Sequence, residues 1–143
     1  MSKQDEHQEI WKQIKGSEQL FKIYKYFPTL HDARIKNIDI NFEIKEFTLT
    51  VDYWDYIEKP GDGVLTRITI VWSNILKATF NWYAEQLIGM KFEKTGDFIK
   101  ATFEEYSSGF YGEIISSSIE IRKVEIEPKE SDEAYESVKF TIN

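Results

Sequence analysis

The sequence predicts an α+β domain that is mostly β. Short N-terminal helices precede about eight antiparallel strands, which form a meander packed as a sandwich or a partly open barrel. Three observations predict this. Apolar residues from Ile10 to Tyr24 recur at three- and four-residue spacing, and from Arg34 onward the period becomes two. Clusters of Gly, Pro, Asn, Asp and Ser cut the second region into short runs. No βαβ spacing occurs, which excludes a doubly wound fold. The chain has 143 residues, 41% of them hydrophobic and 15% aromatic, which suits one domain with one core. That domain spans 1–143, with 1–9 expected to fray, 10–27 forming a helical lead-in and 34–143 forming the β region.

The lead-in carries Ile10, Trp11 and Ile14, then Leu20, Phe21 and Tyr24. Gly16-Ser17 divides it into two helices, with Ser17 expected to cap the second. Pro28 ends the region, because the residue before a proline is pushed out of helical geometry. Ile38, Ile40, Phe42 and Ile44 then alternate with polar residues. Lys45-Glu46 is expected to turn the chain into a partner strand through Phe47, Leu49, Val51 and Tyr53. Asp55 to Gly63 is a loop, marked by Lys59-Pro60-Gly61-Asp62-Gly63.

A strand through Leu65, Ile68, Ile70 and Trp72 follows, and Ser73-Asn74 is expected to reverse it into one carrying Leu76, Ala78, Phe80 and Trp82. Ile88, Met90 and Phe92 form a shorter strand, and Thr95-Gly96-Asp97 turns it into Ile99, Ala101 and Phe103. After a loop at Ser107-Ser108-Gly109, a long strand holds Ile115, Ser117, Ile119, Ile121, Val124 and Ile126. The step from 121 to 124 is three residues, so Arg122-Lys123 predicts a β-bulge or a bend that keeps the apolar face inward. An acidic loop leads to a last strand through Val138, Phe140 and Ile142.

Composition excludes several function classes. With no cysteine, the chain has no thiol nucleophile, no Cys-ligated metal and no disulfide. No apolar run approaches the roughly 18 residues that cross a bilayer, and the acidic opening MSKQDEHQEI does not resemble a secretory signal. A cytoplasmic protein is therefore expected. Net charge is −7. Residues 1–36 carry 7 bases and 5 acids, whereas 37–143 carry 11 bases and 20 acids. This acidic body disfavours nucleic acid and anionic membranes, and it suits a basic protein partner.

His31-Asp32 is the most tempting catalytic pair, since an imidazole beside a carboxylate can act as a general base or hold a metal. Only one further histidine exists, His7. The plainer expectation is local: Asp32 accepts backbone N–H bonds where the helical lead-in meets the first strand. The segment Asp52-Tyr53-Trp54-Asp55-Tyr56-Ile57-Glu58 is a second candidate. In period two, Tyr53 faces inward, while Trp54 and Tyr56 stand outward beside Asp52. Rings of that kind anchor a partner or stack on a sugar, and Asp52, Asp55 and Glu58 would meet its Arg or Lys side chains. Glu104, Glu105 and Tyr106 repeat the theme more weakly, as does Trp82-Tyr83-Ala84-Glu85. Adjacent strand residues face opposite sides, so Glu104 and Glu105 do not form one acid–base pair. No phosphate-binding glycine motif, nucleophile elbow or HExxH occurs. The reading is non-enzymatic, with no cofactor and no metal.

The stretch Phe27-Pro28-Thr29-Leu30-His31-Asp32-Ala33-Arg34-Ile35 resembles an aromatic-Pro-x-x-His-Asp-Ala/Ser-x-apolar segment of small bacterial immunity proteins from polymorphic toxin systems. Of these it most resembles the immunity protein 50 family. The resemblance extends to the hairpin from Ile38 to Tyr53, and by pattern alone to about Ile126. It implies a protein that binds and neutralises a cognate toxin by direct contact. A basic, nuclease-like toxin would suit the charge. His31 and Asp32 match as signature positions, with no toxin contacts implied. The alternatives are a small-ligand or carbohydrate-binding β domain using the same rings, and an enzyme built on His31.

Overall fold

The computed structural model describes residues 3–31, 33–55, 64–82, 87–103, 110–126 and 137–141. Two helices, α1 (Lys3–Gln13) and α2 (Glu18–Tyr24), precede eight strands. These are β1 (Ala33–Asn41), β2 (Glu46–Asp55), β3 (Val64–Trp82), β4 (Leu87–Ile88), β5 (Met90–Thr95), β6 (Phe98–Phe103), β7 (Phe110–Ile126) and β8 (Ser137–Thr141). The α+β, mostly β class is thus the one the sequence predicts. All eight strands join one sheet, in the order β4-β1-β2-β3-β7-β6-β5, and β8 also pairs with β1. The arrangement is therefore a single open sheet, not two stacked ones. Among the described strand pairs β1–β8 is parallel, and the others are antiparallel.

The spine is the pairing of β3 with β7, which runs from Thr66–Ile126 to Trp82–Phe110. Its first irregularity sets Thr69 opposite Lys123 and Ile70 opposite Ile121. The extra residue is Arg122, so the bulge expected from the three-residue step is present. A similar shift between Ile35 and Asn37 keeps Ile35 and Ile38 buried three residues apart on β1.

Two expected turns are placed differently. Ser73-Asn74 does not reverse the chain: β3 is continuous through it. Asn74 adopts φ 53, and the register slips between Ile75 and Lys77. Asparagine tolerates the left-handed region, and here that freedom bends one strand instead of separating two. Likewise β1 stops at Asn41, whose Oδ1 accepts the N–H groups of Glu43 and Ile44. Phe42 and Ile44 therefore lie in an exposed turn, not on the inward face, and β2 begins at Glu46.

The helices fill one face of the sheet. Ile10, Trp11, Ile14 and Leu20 are buried there with Phe47, Leu49, Val51, Ile68, Ile70 and Trp72. Residues 3–9, expected to fray, lie in α1. His7 is buried, with Trp11 Nε1 donating to its Nε2 at 2.9 Å and the Phe92 amide donating to its Nδ1 at 2.9 Å. A neutral imidazole has one acceptor nitrogen, so it satisfies one of these donors fully; a charged ring would satisfy neither. The next outward amide of β5, that of Lys94, donates to Glu6 Oε1, and that of Met90 donates to the Thr29 carbonyl. Three alternate amides of an edge strand thus face acceptors of the N-terminal segment, that of Phe92 being satisfied when the imidazole keeps its lone pair on Nδ1.

Between the helices the chain covers a second edge. The Ile121 amide donates to the Lys15 carbonyl at 2.8 Å, on the part of β7 that β6 does not reach. Ser17 precedes α2 in helical geometry and makes no side-chain cap bond; it is buried. Gly16 carries φ 87, and a Cβ there would lie 2.1 Å from the Ile121 carbonyl oxygen. Gly16→Ala is therefore expected to destabilise the fold by at least about 2 kcal/mol, through left-handed strain plus backbone collision. A chemical-denaturation midpoint unchanged by Gly16→Ala would show that the linker does not dock on β7.

Candidate functional site

After α2, Lys25 takes a left-handed conformation and its amide donates to the Phe21 carbonyl, which ends the helix and turns the chain back. Tyr26 and Phe27 then run beside α1. Gln8 holds Phe27 at both backbone atoms: its Nε2 donates to the carbonyl at 2.8 Å and its Oε1 accepts the amide at 3.3 Å. The Phe27 ring stacks on Trp11 with centroids 5.9 Å apart. In the nine-residue signature, Phe27, Leu30, Ala33 and Ile35 are all buried. The apolar part of the signature is thus core, while His31 is exposed at a turn. Asp32 and its expected capping role lie outside the described residues.

This return of the chain leaves a cleft of about 450 Å³, lined by His7, Gln8, Tyr26, Phe27, Thr29, Tyr53 and Lys91. Tyr53 is buried on the inward face, as its period-two position predicts. Its hydroxyl lies 3.1 Å from that of Tyr26. Tyr24 braces the same wall: its hydroxyl lies 2.6 Å from Thr66 Oγ1 and donates to the Val64 carbonyl at 3.2 Å. Burial pushes the Tyr53 phenol up to about 12. The sequence points to outward rings around Trp54 as the binding face; this cleft is instead built around Tyr53, on the opposite face. The signal was there in the alternation; what the sequence did not show is that 26–29 would supply the facing wall.

The other face of the sheet carries the predicted partner-binding residues. Trp54 is 40% exposed there. Asp52 is engaged within the sheet: Arg67 donates to both of its oxygens, at 2.8 and 3.1 Å, and Lys36 Nζ lies 3.9 Å away. Asp52 is therefore tied into a cross-strand ion pair. Asp55 ends β2 opposite Val64. Its side chain, and Tyr56, Glu58, Glu104, Glu105 and Tyr106, lie outside the described residues. On β7, Glu113 sits between Lys77 of β3 and Lys100 of β6, at 3.4 Å from each. Burial alone would raise its carboxyl, but the hydrogen bonds and charges of the two lysines outweigh this and hold it low.

A third feature was missed from the sequence. The exposed large apolar residues include Phe42 at 56%, Ile44 at 56% and Leu76 at 65%. They sit at the β1–β2 turn and at the β3 irregularity. There a smaller groove of about 160 Å³ is lined by Ile40, Phe42, Ile75 and Ala78, with Lys45 and Glu46 at its rim. Asn41, a turn former in mid-pattern, was the available clue that the strand ends before Phe42.

Comparison with family models, with curated proteins and with solved structures yields no match. No helix among the described residues is long and apolar enough to cross a membrane.

The raised Tyr53 phenol has a measurable consequence. An unfolded tyrosine ionises near pH 10, whereas the folded phenol keeps its proton to about 12. The stabilisation is complete below about pH 10 and is lost as pH rises towards 12, because only the folded state still binds the proton. Tyr53→Phe is expected to show a shallower loss of stability across that window. Parallel alkaline slopes for the two proteins, from denaturant titrations, would place the phenol in water.

Proposed function

We propose that the protein is a cytoplasmic immunity protein that binds and neutralises a cognate bacterial toxin domain by direct contact, without catalysis. The observation that carries the reading is the exposure of Phe42, Ile44 and Leu76 beside an apolar groove. Scattered exposed apolar residues are ordinary, but several at one turn and the neighbouring strand form the kind of surface a partner covers. The signature from Phe27 to Ile35 supports the family assignment, and the net charge of −7 favours a basic toxin.

The β1–β2 turn is the proposed anchor. Trp54 lies at the far end of β2, so the two places belong to different parts of any interface of ordinary size. Charge would act mainly on encounter. In the described residues Asp52, Glu113 and Glu120 are each paired with a base. The acidic stretch 127–136, with five acids and one base, adds most to the negative balance.

The test is co-elution, at low salt, of the purified chain with the toxin domain encoded beside it. Phe42→Ala and Ile44→Ala are each expected to weaken binding by about 1–2 kcal/mol, mainly through faster dissociation. Their melting should stay within about 0.5 kcal/mol of the parent, since both side chains are exposed. If Trp54→Ala disrupts the complex and the two turn variants do not, the anchor lies at the other end of β2. Failure of the parent protein to bind the toxin domain would overturn the immunity reading itself.

A further inference from the structure

We propose that the far part of β3, residues 77–82, is an interaction edge that pairs antiparallel with the same edge of a second copy of this chain. The pairing joins two sheets into one across a two-fold axis at Thr79. It does not rest on the immunity reading.

The edge arises from unequal strand lengths. Strand β2 pairs with β3 from Asp55–Val64 to Phe47–Trp72 and goes no further. Strand β3 continues to Trp82, and along that extension β7 holds one side of it. Among the described residues nothing pairs with the other side. Alternate N–H and C=O groups of a strand point to each side, so those on the open side offer a template for another strand. Lys77, Ala78, Thr79 and Asn81 are all exposed. The remaining stretches of edge are treated differently. The amides of β5 meet the N-terminal segment, the Ile121 amide of β7 meets Lys15, and β1 carries β8.

The usual guards of a free edge do not block this one. The irregularity lies before it, in the slip between Ile75 and Lys77. From 77 to 82 the pairing with β7 is regular, residue for residue, and the segment has no proline. Lys77 leans over the sheet face to Glu113 of β7, Nζ to Oε1 3.4 Å, and so away from the open side.

The edge is also self-complementary. Opposed residues of an antiparallel pair share a face, so a two-fold axis normal to the sheet sets one residue against itself. A centre at Thr79 opposes Thr79 to Thr79, Ala78 to Phe80 and Lys77 to Asn81. On the face where Ala78 lines the groove, a small side chain meets a large one. On the other face two hydroxyls meet and no two lysines are opposed. A centre at Ala78 would bring Leu76, the extra residue of the slip, into the ladder.

The experiment is sedimentation velocity together with backbone hydrogen exchange on the intact chain, each from low to high micromolar protein. A monomer–dimer equilibrium is expected, in which the outward amides of 77–82 slow as the dimer fills. Thr79→Lys sets two ammonium groups against each other and should raise the dimer dissociation constant about tenfold or more, whereas Thr79→Val should keep it within about threefold of the parent. Thr79 is exposed, so both variants should melt like the parent. A protein that stays monomeric throughout, a dimer whose 77–82 amides exchange as in the monomer, or a dimer indifferent to Thr79→Lys would each overturn the proposal. Protection of this edge only after the toxin domain is added to a monomeric parent would also overturn it, and would assign the edge to a foreign strand.

Discussion

The molecule depends on how its N-terminal segment closes the edges of an open sheet. Strand β5 presents the amides of Met90, Phe92 and Lys94 outward, and these go to Thr29, His7 and Glu6. The upper part of β7 sends the Ile121 amide to Lys15. An uncovered row of such groups invites pairing with another chain, and the β5 side of the sheet, where β6 stops short along β7, offers two such stretches. Here the cover comes from helix side chains and a glycine-bearing linker. Once those bonds fix α1 and α2, Trp11, Ile14 and Leu20 are delivered to the concave face. The cleft is a by-product of the same docking, since Gln8 positions Phe27 while its neighbour His7 holds β5.

The long β3–β7 ladder supplies the surface that is covered. Its curvature comes from placed irregularities: Arg122 on one strand, and Asn74 with the slip after Ile75 on the other. A third sits at Gly112, where φ is 147 and a Cβ would lie 1.9 Å from the Thr79 carbonyl oxygen. Glycine permits the two backbones to approach there. Straight strands of 19 and 17 residues would project past the helices; bent ones wrap them. At one end of the concave face Phe47 meets Trp72 and Phe80, and at the other Trp11 meets Phe27 and Phe92. Both ends of the core are therefore aromatic, which accounts for much of the chain's ring content.

What the sequence disclosed follows from what local pattern can encode. Alternation places Leu49, Val51 and Tyr53 inward, and the three-residue step between Ile121 and Val124 marks where the register shifts. Gly96 between β5 and β6 turns the chain as expected, at φ 65. Other features depend on partners that local pattern does not specify. Asn74 suits a reversal or a bulge equally, and β7 pairing across it decides for the bulge. Phe42 and Ile44 continue the alternation of β1 past the point where Asn41 stops the strand. His7 lies in a polar stretch and is buried against Trp11 and Phe92, the latter 85 residues away. For the site, Trp54 was legible as outward, whereas the ties from Asp52 to Arg67 and from Gln8 to Phe27 arise from register and chain return.

Backbone hydrogen exchange on the intact protein tests the account most directly. If the N-terminal segment closes the sheet, the Phe92 and Ile121 amides exchange nearly as slowly as amides inside the β3–β7 ladder, such as that of Ile70. If both exchange at the rate of open, solvated peptide while Ile70 stays protected, the helices do not close those edges and the cleft has no fixed wall.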